Sequence, residues 1–471
     1  EPRGGAAAVS ETCAMDDMCV HCWGNNNYGQ TTVPSLSHPI AVSAGGINTC
    51  ALDDTGVHCW GNNYYGQSTV PLLDVDNCSA IVNSDQNDTD YDGIGDVCDS
   101  KPYGSTADRK GTAVAFAGDV NGDGFGDYVI GIPGYDVPAS SSAKKRNNAG
   151  RALIVSGKDG SLMRAINGVA AQDAMGFAIA GGRDIDGDGY YDVVIGSPNA
   201  GAGRQGTITL LFGPDGVRTK TINYMYGHQS KSQFGAAVAL GDFNDDGYAD
   251  IFVGAPKSNG VNNMTDAGAV VVLNGEPYSY FGYTLATFYG AVAHAHAGSS
   301  VGAGDIDNDG SHEIIIGAPD DDDVANKLAD AGSVAAYRSA DVYSPVSTDT
   351  PHLMKKYGAS AKAYLGKSVA SGDVNDDGYA DVLAGAPGDD DSANALKDTG
   401  SVTVFSGVDG SKLTTKYGAT AKAGLGNSVA AGDVNNDGNA DIIAGAKLDD
   451  KPSIPKVIKD AGSVSVWSGS D

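Results

Sequence analysis

Six loops in this sequence carry acidic side chains at one fixed spacing, and that spacing suits metal binding. Each loop follows the pattern D-x-[DN]-x-D-G-x-x-[DE], as in DVNGDGFGD at residues 119–127. Oxygen atoms at positions 1, 3, 5 and 9, with a main-chain carbonyl at position 7, can surround a hard cation, and the glycine at position 6 permits the sharp turn. Carboxylates about 4 Å apart repel by roughly 4 kcal/mol per pair at an effective dielectric near 20, and a bound divalent ion reverses the sign.

The chemistry of these ligands favours calcium. Oxygen-only ligands argue for Ca²⁺ over Zn²⁺ or Cu²⁺, and the absence of a phosphate-binding context argues against Mg²⁺. We therefore predict six Ca²⁺ sites, in which position 7 contributes its carbonyl oxygen. The predicted ligands are Asp119, Asn121, Asp123, Phe125 and Asp127; Asp184, Asp186, Asp188, Tyr190 and Asp192; Asp242, Asn244, Asp246, Tyr248 and Asp250; Asp305, Asp307, Asp309, Ser311 and Glu313; Asp373, Asn375, Asp377, Tyr379 and Asp381; and Asp433, Asn435, Asp437, Asn439 and Asp441.

The elements around each loop repeat with it. A small apolar strand precedes the loop, a second strand ending in G-A-P or a variant follows it, and a third strand of the type GSVTVFSG completes the unit. The loops recur at intervals of 58 to 68 residues, which matches one four-stranded propeller blade. We predict an all-β propeller with six blades, or seven if further chain contributes one. The chain stops where a fourth strand of the last unit is due, so residues 97–104 are predicted to supply that strand.

The amino-acid composition agrees with this architecture and disfavours some classes of binding partner. The chain has 471 residues with 67 glycines and 7% aromatic residues, which suits short strands and tight turns. Acidic residues outnumber basic ones 59 to 30, and the net charge of -29 disfavours nucleic acid or an anionic membrane as partner. No run approaches the roughly 18 apolar residues of a membrane helix. No signal-peptide pattern opens the sequence, and because residue 1 is Glu we expect a processed chain or part of one.

All seven cysteines precede residue 100, and their spacing indicates disulfides. Cys13 and Cys22 are nine residues apart, as are Cys50 and Cys59, while residues 78 and 98 bracket an acidic segment with one cysteine each. Such pairs across short loops favour an oxidising compartment over an intracellular zinc site. Cys19 is left over, as a free thiol or an interchain link.

The sequence from residue 103 onward resembles FG-GAP repeats, the blades of integrin α-subunit propellers. Phe234-Gly235 and Gly254-Ala255-Pro256 give both name-giving pieces within one unit. Other units vary them, for example Gly445-Ala446-Lys447 in place of GAP. The resemblance implies Ca²⁺ in the loop between the first two strands and a partner-binding face on the opposite side. Integrin propellers have seven blades, so six or seven blades both stay open.

Two shorter regions resemble other extracellular or repeat families. Residues 12–34 recur at 49–71 and resemble RCC1-type repeats; they are either the rest of a larger repeat array or pack on the ring. Residues 76–99 resemble one thrombospondin type 3 repeat. Together the three resemblances imply domains at 1–73 (RCC1-like), 74–102 (thrombospondin type 3-like) and 103–471 (FG-GAP propeller). The thrombospondin resemblance also implies Ca²⁺ ligands at Asp88, Asp90, Asp92, Asp96 and Asp99 with the Ile94 carbonyl, and a disulfide between Cys78 and Cys98 at the ends of the segment.

Three further features of the sequence bear on its function. His294 and His296 could form a metal pair, but without a third ligand we interpret them as ordinary strand residues. The loops after the second strand become acidic in later units, as in APDDDDVANKLADAG at 318–332, and a solvated rim is favoured over a partner site. No P-loop, H-E-x-x-H or G-x-S-x-G motif is present.

The sequence thus predicts a secreted or surface-displayed, Ca²⁺-stabilised protein without enzymatic activity. Its function is adhesion, protein binding or surface assembly, through a protein or glycan ligand on the face opposite the calcium loops. One alternative is a structural subunit of an extracellular filament or coat, which self-assembles. A third hypothesis is a carbohydrate-binding module or a calcium-dependent enzyme acting on polysaccharide, which would require a basic cleft.

Overall fold

The computed structural model divides the chain into two compact units, Glu1–Val97 and Cys98–Asp471. It describes residues 4–7, 11–15, 19–36, 41–45, 48–53, 56–62, 109–139, 144–213, 219–223, 230–276, 282–339, 346–347, 353–450 and 460–469. In these residues the regular structure consists of strands and the 3-10 helix Val261–Asn263, which confirms the all-β prediction. The domain limits predicted from the sequence stay predictions.

The first unit contains two antiparallel three-stranded sheets. One is built from β1 (Gly4–Ala7), β2 (Glu11–Met15) and β3 (Val20–Gly24), the other from β4 (Ala41–Gly45), β5 (Asn48–Asp53) and β6 (Gly56–Gly61). Cys13 pairs with Cys22 and Cys50 with Cys59, in each case directly across neighbouring strands, which confirms both predicted disulfides. Cys19 is exposed and belongs to neither bridge.

The second unit forms six antiparallel sheets within its described residues, one for each sequence repeat, which we call blades 1 to 6. Strands follow one another in space as in sequence, and the sheets match propeller blades. Blade 1 contains β7 (Val114–Gly118), β8 (Asp127–Ile132), β9 (Arg151–Val155) and β10 (Leu162–Asn167). Blade 2 contains β11 (Ala178–Arg183), β12 (Asp192–Ser197), β13 (Thr207–Leu211) and β14 (Thr219–Asn223). Blade 3 contains β15 (Ala237–Gly241), β16 (Asp250–Ala255), β17 (Ala269–Leu273) and β18 (Thr284–Tyr289).

The later blades vary at their outer edges. Blade 4 contains β19 (Ser300–Gly304), β20 (Glu313–Ala318), β21 (Ser333–Tyr337) and, outermost, β23 (Met354–Tyr357). Between β21 and β23 the chain adds β22 (Val346–Ser347), which pairs in parallel with β18 as a fifth strand of blade 3. Blade 5 contains β24 (Ser368–Gly372), β25 (Asp381–Ala386), β26 (Ser401–Phe405) and β27 (Lys412–Tyr417). Blade 6 contains β28 (Leu425–Gly432), β29 (Asp441–Ala446) and β30 (Ser463–Trp467).

The hydrophobic core lies between neighbouring blades. Ile208 and Leu210 of blade 2 pack with Ile251 and Val253 of blade 3, and all four side chains are fully buried. Equivalent clusters join the other consecutive pairs. At about 25 cal/mol per Å² of apolar surface, burial between blades is the main favourable term, so each blade depends on its neighbours for stability.

The two glycines of the repeat motif explain how closely the blades approach. The amide of Gly235, the glycine of FG, donates to the carbonyl of Gly254 in the same blade. The Gly235 carbonyl in turn faces the preceding blade, where a Cβ atom on Gly196 would lie 2.0 Å from that oxygen. The same contact recurs between Gly254 and the carbonyl of Gly298 at 2.1 Å. A side chain at Gly196 or Gly254, the first glycine of the GAP motif in blades 2 and 3, would therefore push neighbouring blades apart.

The first and last blades each present apolar side chains that inner blades bury. Val114 and Phe116 of β7 are 69% and 67% exposed, and Val464 and Val466 of β30 are 72% and 52% exposed. The strands of blades 3 and 5 that correspond to β30, namely β17 and β26, are buried at every residue, whereas β15 and β24, which correspond to β7, are buried or half-buried. Blade 6 has three strands in the described chain, and residues 97–104, predicted to supply a fourth, lie outside the described residues.

Two interpretations from the sequence were wrong. The acidic loops after the second strand are not simply a solvated rim, because several of their carboxylates are buried and hydrogen-bonded. Ser333 Oγ donates to Asp321 Oδ2 at 2.7 Å, and Lys355 Nζ lies 3.0 Å from the same oxygen. His294 and His296 lie in a turn with positive φ of 64° and 53°, not in a strand, and Nδ1 of His296 lies 2.7 Å from Asp320 Oδ2.

Candidate metal sites

The carboxylate at position 1 organises the main chain of each acidic loop. In blade 1, Asp119 accepts hydrogen bonds from the amides of Gly122, Asp123 and Gly124 at 2.7, 3.0 and 2.8 Å. In each of the other five blades, the amide at position 6 donates to the carboxylate at position 1 of its own loop. The loop backbone therefore curls around the first predicted ligand, as the glycine at position 6 allows. The position 1 residues are Asp119, Asp184, Asp242, Asp305, Asp373 and Asp433.

The carboxylate at position 9 is the buried member of each site, and it ties the loop to the sheet. In blade 3, Asp250 accepts from the amide of Phe243 inside the loop and from the amide of Gly275 after the third strand, both at 2.9 Å. The equivalent two amides of their own blades donate to Asp127, Asp192, Asp381 and Asp441. Glu313 accepts from Ile306 and Asp307, and no glycine follows the third strand of its blade.

Burial raises the pKa of the carboxyl groups at position 9. Removal from water raises the pKa of Asp192, Asp250 and Glu313 to about 7, and that of Asp381 to about 6, with smaller contributions from the neighbouring loop carboxylates. The pKa of Asp127 is raised for the same reason. In the absence of a cation, these groups thus resist ionisation near neutral pH, because their charge would be desolvated beside other negative charges.

Three predicted ligand positions converge in two of the blades. Carboxylate oxygens of Asp184, Asp186 and Asp192 lie within 4.8 Å of one another, and the same holds for Asp305, Asp307 and Glu313. These are positions 1, 3 and 9. The other four loops have asparagine at position 3, whose side-chain carbonyl offers a neutral oxygen instead of a charged one: Asn121, Asn244, Asn375 and Asn435.

Positions 5 and 7 take a different part in the loop. The position 5 carboxylate accepts the amide of position 7, as Asp188 does from Tyr190 at 3.1 Å and Asp377 from Tyr379 at 3.0 Å. Neither Asp188 nor Asp309 belongs to the converging groups. Ligation by position 5 and by the position 7 carbonyl stays a prediction from the sequence.

The residues fit a hard divalent cation. Oδ1 of Asp307 is buried without a hydrogen-bond partner, although oxygens of Asp305 and Glu313 lie close by. A buried carboxylate oxygen without a donor is costly unless a cation faces it. The donor set contains oxygen alone, as Ca²⁺ prefers. The thrombospondin-like ligands Asp88, Asp90, Asp92, Ile94, Asp96 and Asp99 lie outside the described residues.

A cationic contact among the loops was missed by the sequence analysis. Nη2 of Arg183, at the end of β11 in blade 2, lies 2.5 Å from Nε2 of His312 in blade 4. Burial lowers the pKa of both groups, and the Arg183 charge lowers that of His312 further. The signal was available, because every other repeat has glycine immediately before the loop aspartate, as at Gly241 and Gly304.

Comparison with known families agrees with the repeat structure. The model of the FG-GAP repeat matches residues 110–155, 175–211, 234–273, 297–337, 365–405 and 425–467, which together make up just over half of the chain. The model of the Regulator of chromosome condensation (RCC1) repeat matches residues 40–67. The FG-GAP and RCC1 resemblances are thereby confirmed, and the thrombospondin type 3 resemblance stays a prediction.

Individual relatives match part of the chain. Integrin alpha-5 of Xenopus laevis is 32% identical over an alignment of 235 residues, which covers 46% of this chain and 20% of that protein. Phosphatidylinositol-glycan-specific phospholipase D of Bos taurus is 30% identical over 219 residues, 43% of this chain and 25% of that protein. The chain thus spans a quarter or less of these relatives. The crystal structure of the computationally designed Ika8 protein aligns at 13% identity with a TM-score of 0.38, over 98% of this chain and 95% of that one.

Proposed function

Because this chain belongs to the FG-GAP repeat family, we propose that it is an extracellular calcium-binding propeller that holds a ligand-binding face rigid for adhesion or protein binding. Calcium fixes the loop between the first two strands of each blade. The loops at the other ends of the same strands then form a firm contact surface for a protein or glycan. The similarity to integrin alpha-5 over nearly half of the chain supports this proposal.

The observation that carries the proposal is the convergence of acidic side chains at repeated positions. Three carboxylates in blade 2 and three in blade 4 approach within 4.8 Å, and the same loop frame recurs in all six repeats. Like charges held this close oppose folding unless a cation balances them. This cost in two blades, and the recurrence of the loop frame in all six repeats, favour a structural metal over chance.

The disulfides and the expected calcium affinity support an extracellular location. Disulfides such as Cys13–Cys22 form and persist in oxidising compartments. Calcium sites of extracellular modules bind at about 10⁻⁴ to 10⁻³ M and fill only outside the cell. The net charge of -29 speaks against nucleic acid as a partner. Within the described residues, no helix has the length and apolar character needed to span a membrane.

Thermal unfolding in calcium and in chelator tests the proposal. At a free ion level ten times the dissociation constant, each independent site adds about 1.4 kcal/mol to the free energy of unfolding. Six sites therefore predict a large drop of the melting temperature in chelator, restored by Ca²⁺ and restored poorly by Mg²⁺. A melting temperature that is the same in calcium and chelator contradicts the proposal.

Self-assembly into an extracellular filament or coat is a second candidate function. The exposed apolar side chains at the two end blades favour it, among them Phe116 and Val464. Electron microscopy separates the two, because a filament subunit gives a regular lattice and an adhesive module stays monomeric.

We assign no catalytic residue to the chain. The phospholipase D relative keeps the enzymatic alternative relevant, and assays for hydrolysis of glycolipid and acidic polysaccharide test it.

A further inference from the structure

A cleft of about 610 Å³ lies where blades 4, 5 and 6 meet. Its walls include Tyr364 and Lys367 just before β24, and Pro387 just after β25. The calcium loop of blade 5 joins the opposite ends of these two strands, where Gly372 pairs with Asp381. The cleft therefore opens on the side of blade 5 away from its metal site.

Three ammonium groups line this cleft in a strongly acidic protein. Lys367, Lys422 and Lys447 are all exposed, and none of them forms an ion pair with another described residue. The lining also contains two carboxylates, Asp320 and Asp398, and Nδ1 of His296 lies 2.7 Å from Asp320 Oδ2. The three ammonium groups therefore outnumber the carboxylates of the lining. The chain has 59 acidic and 30 basic residues, so such a local excess of lysine runs against its composition.

Two of the three lysines, Lys367 and Lys447, stand where the other repeats carry neutral residues, whereas Lys422 has lysine counterparts in Lys231 and Lys362. Lys447 occupies the proline position of the GAP motif, which is proline in the other five units. Lys367 follows the FG-type glycine, where blade 6 has Asn427 and blade 4 has Ser299. A fold built from repeats does not need these exceptions, and departures from a repeat rule are expected at functional positions.

A glycine unique to blade 6 keeps the cleft open. Gly424 has φ of 65°, and the equivalent residues Ala174, Gln233, His296 and Tyr364 carry side chains with φ between 53° and 60°. A Cβ atom on Gly424 would meet only the Pro387 carbonyl, at 3.8 Å. The backbone at this position therefore accepts a side chain, and its absence leaves space between blades 5 and 6.

We propose that this cleft binds an acidic saccharide, with Lys367, Lys422 and Lys447 holding its carboxylates. Lysine ammonium groups form charge-assisted hydrogen bonds with carboxylates. The volume of about 610 Å³ lies in the range of small-ligand pockets and exceeds what one acidic side chain of a peptide would fill. The half-buried ring of Tyr364 offers an apolar face to a sugar ring, while Asn427 and Asp398 offer partners for hydroxyl groups.

This inference rests on the proposed function, because it names the ligand class for the face that we assign to binding. Titration calorimetry of the full chain with trigalacturonate, in calcium buffer, tests it. We expect saturable binding of the trimer and none of its fully methyl-esterified form, which lacks the negative charges. We also expect Lys422→Ala, Lys447→Pro and Gly424→Gln each to weaken binding about tenfold or more.

The repeats supply matched controls. Lys362 is the blade 5 equivalent of Lys422, with φ of 63° against 66°, but it does not line the cleft, so Lys362→Ala should bind the trimer normally. Lys447→Pro restores the residue of the other repeats, and Gly424→Gln copies Gln233, so both should fold. No binding of the trimer, equal weakening by Lys362→Ala, or equally tight binding of triglutamate would overturn the inference. A calcium-dependent melting temperature in the same sample would leave the proposed function standing.

Discussion

The buried carboxylate at position 9 is the residue on which each candidate metal site depends. Asp250 is fully buried, accepts two main-chain hydrogen bonds, and links the loop to the end of the third strand. It has a neighbour at position 4, Asp245, which is exposed and has no predicted ligand role. Substituting each residue in turn therefore distinguishes the loss of a metal ligand from the loss of one negative charge in the same loop.

We predict that Asp250→Asn lowers the free energy of unfolding in calcium by about 2–4 kcal/mol, because it removes a charged ligand and turns one hydrogen-bond acceptor into a donor facing an amide. Asp245→Asn also removes one negative charge from the loop, but it should change the free energy of unfolding by less than about 0.5 kcal/mol. Urea unfolding in calcium and in chelator measures both. Similar losses for the two variants would show that the loop responds to net charge rather than to a bound ion.

Position 3 should tune calcium affinity between blades. Asp186 and Asp307 add a third carboxylate to their sites, whereas asparagine fills this position in the other four loops. Charge count among the ligands is one determinant of calcium affinity. Asp186→Asn should therefore lower the affinity of one of the tightest calcium sites in a titration. Asn375→Asp should instead raise the affinity of the blade 5 site. If Asp186→Asn leaves the titration unchanged, position 3 does not contact the ion.

At the scale of elements, paired glycines control how blades join. We predict that Gly254→Ala destabilises the protein by roughly 3 kcal/mol or more, because its Cβ atom would lie 2.1 Å from the Gly298 carbonyl oxygen of the next blade. Gly432 has nothing within 4 Å of an added Cβ, and Gly432→Ala should be nearly neutral. Chemical denaturation of the two variants measures the difference, and equal stability would refute the role of this contact.

The sequence revealed the elements better than the contacts between them. Strands, loops and disulfides follow from local patterns that repeat along the chain, so one unit predicts the next. The contact of Arg183 with His312 joins blades 2 and 4, and the short strand β22 joins the edge of blade 3; neither is visible within a single repeat. Likewise Asp321 is buried because Ser333 and Lys355 arrive from other strands, which acidic composition alone could not indicate.

For the whole molecule, the position 9 carboxyls predict an unusual pH dependence. Their folded-state pKa of about 7 in Asp192, Asp250 and Glu313 lies above the ordinary values of 3.8 and 4.5. The folded metal-free protein thus binds more protons than the unfolded chain between about pH 4 and pH 7, and its stability falls as pH rises through that window. Calcium binds the ionised form, so its stabilising effect should grow over the same range.

Melting curves at several pH values, with calcium and with chelator, measure this dependence. In chelator the melting temperature should decrease from about pH 5 to pH 8, and in calcium the decrease should vanish or reverse. A melting temperature in chelator that rises with pH would mean that the carboxyl groups are stabilised as anions by the protein alone. Metal would then have no structural role at these positions.

Counting the bound ions tests the central claim most directly. Native mass spectrometry of the intact chain, exchanged into volatile buffer with calcium, gives the number of ions retained per molecule. The six loops predict at least six Ca²⁺ per chain, one of which is lost in Asp250→Asn and none in Asp245→Asn. Fewer than four ions, or the same number in both variants, would contradict the assignment of the acidic loops as calcium sites.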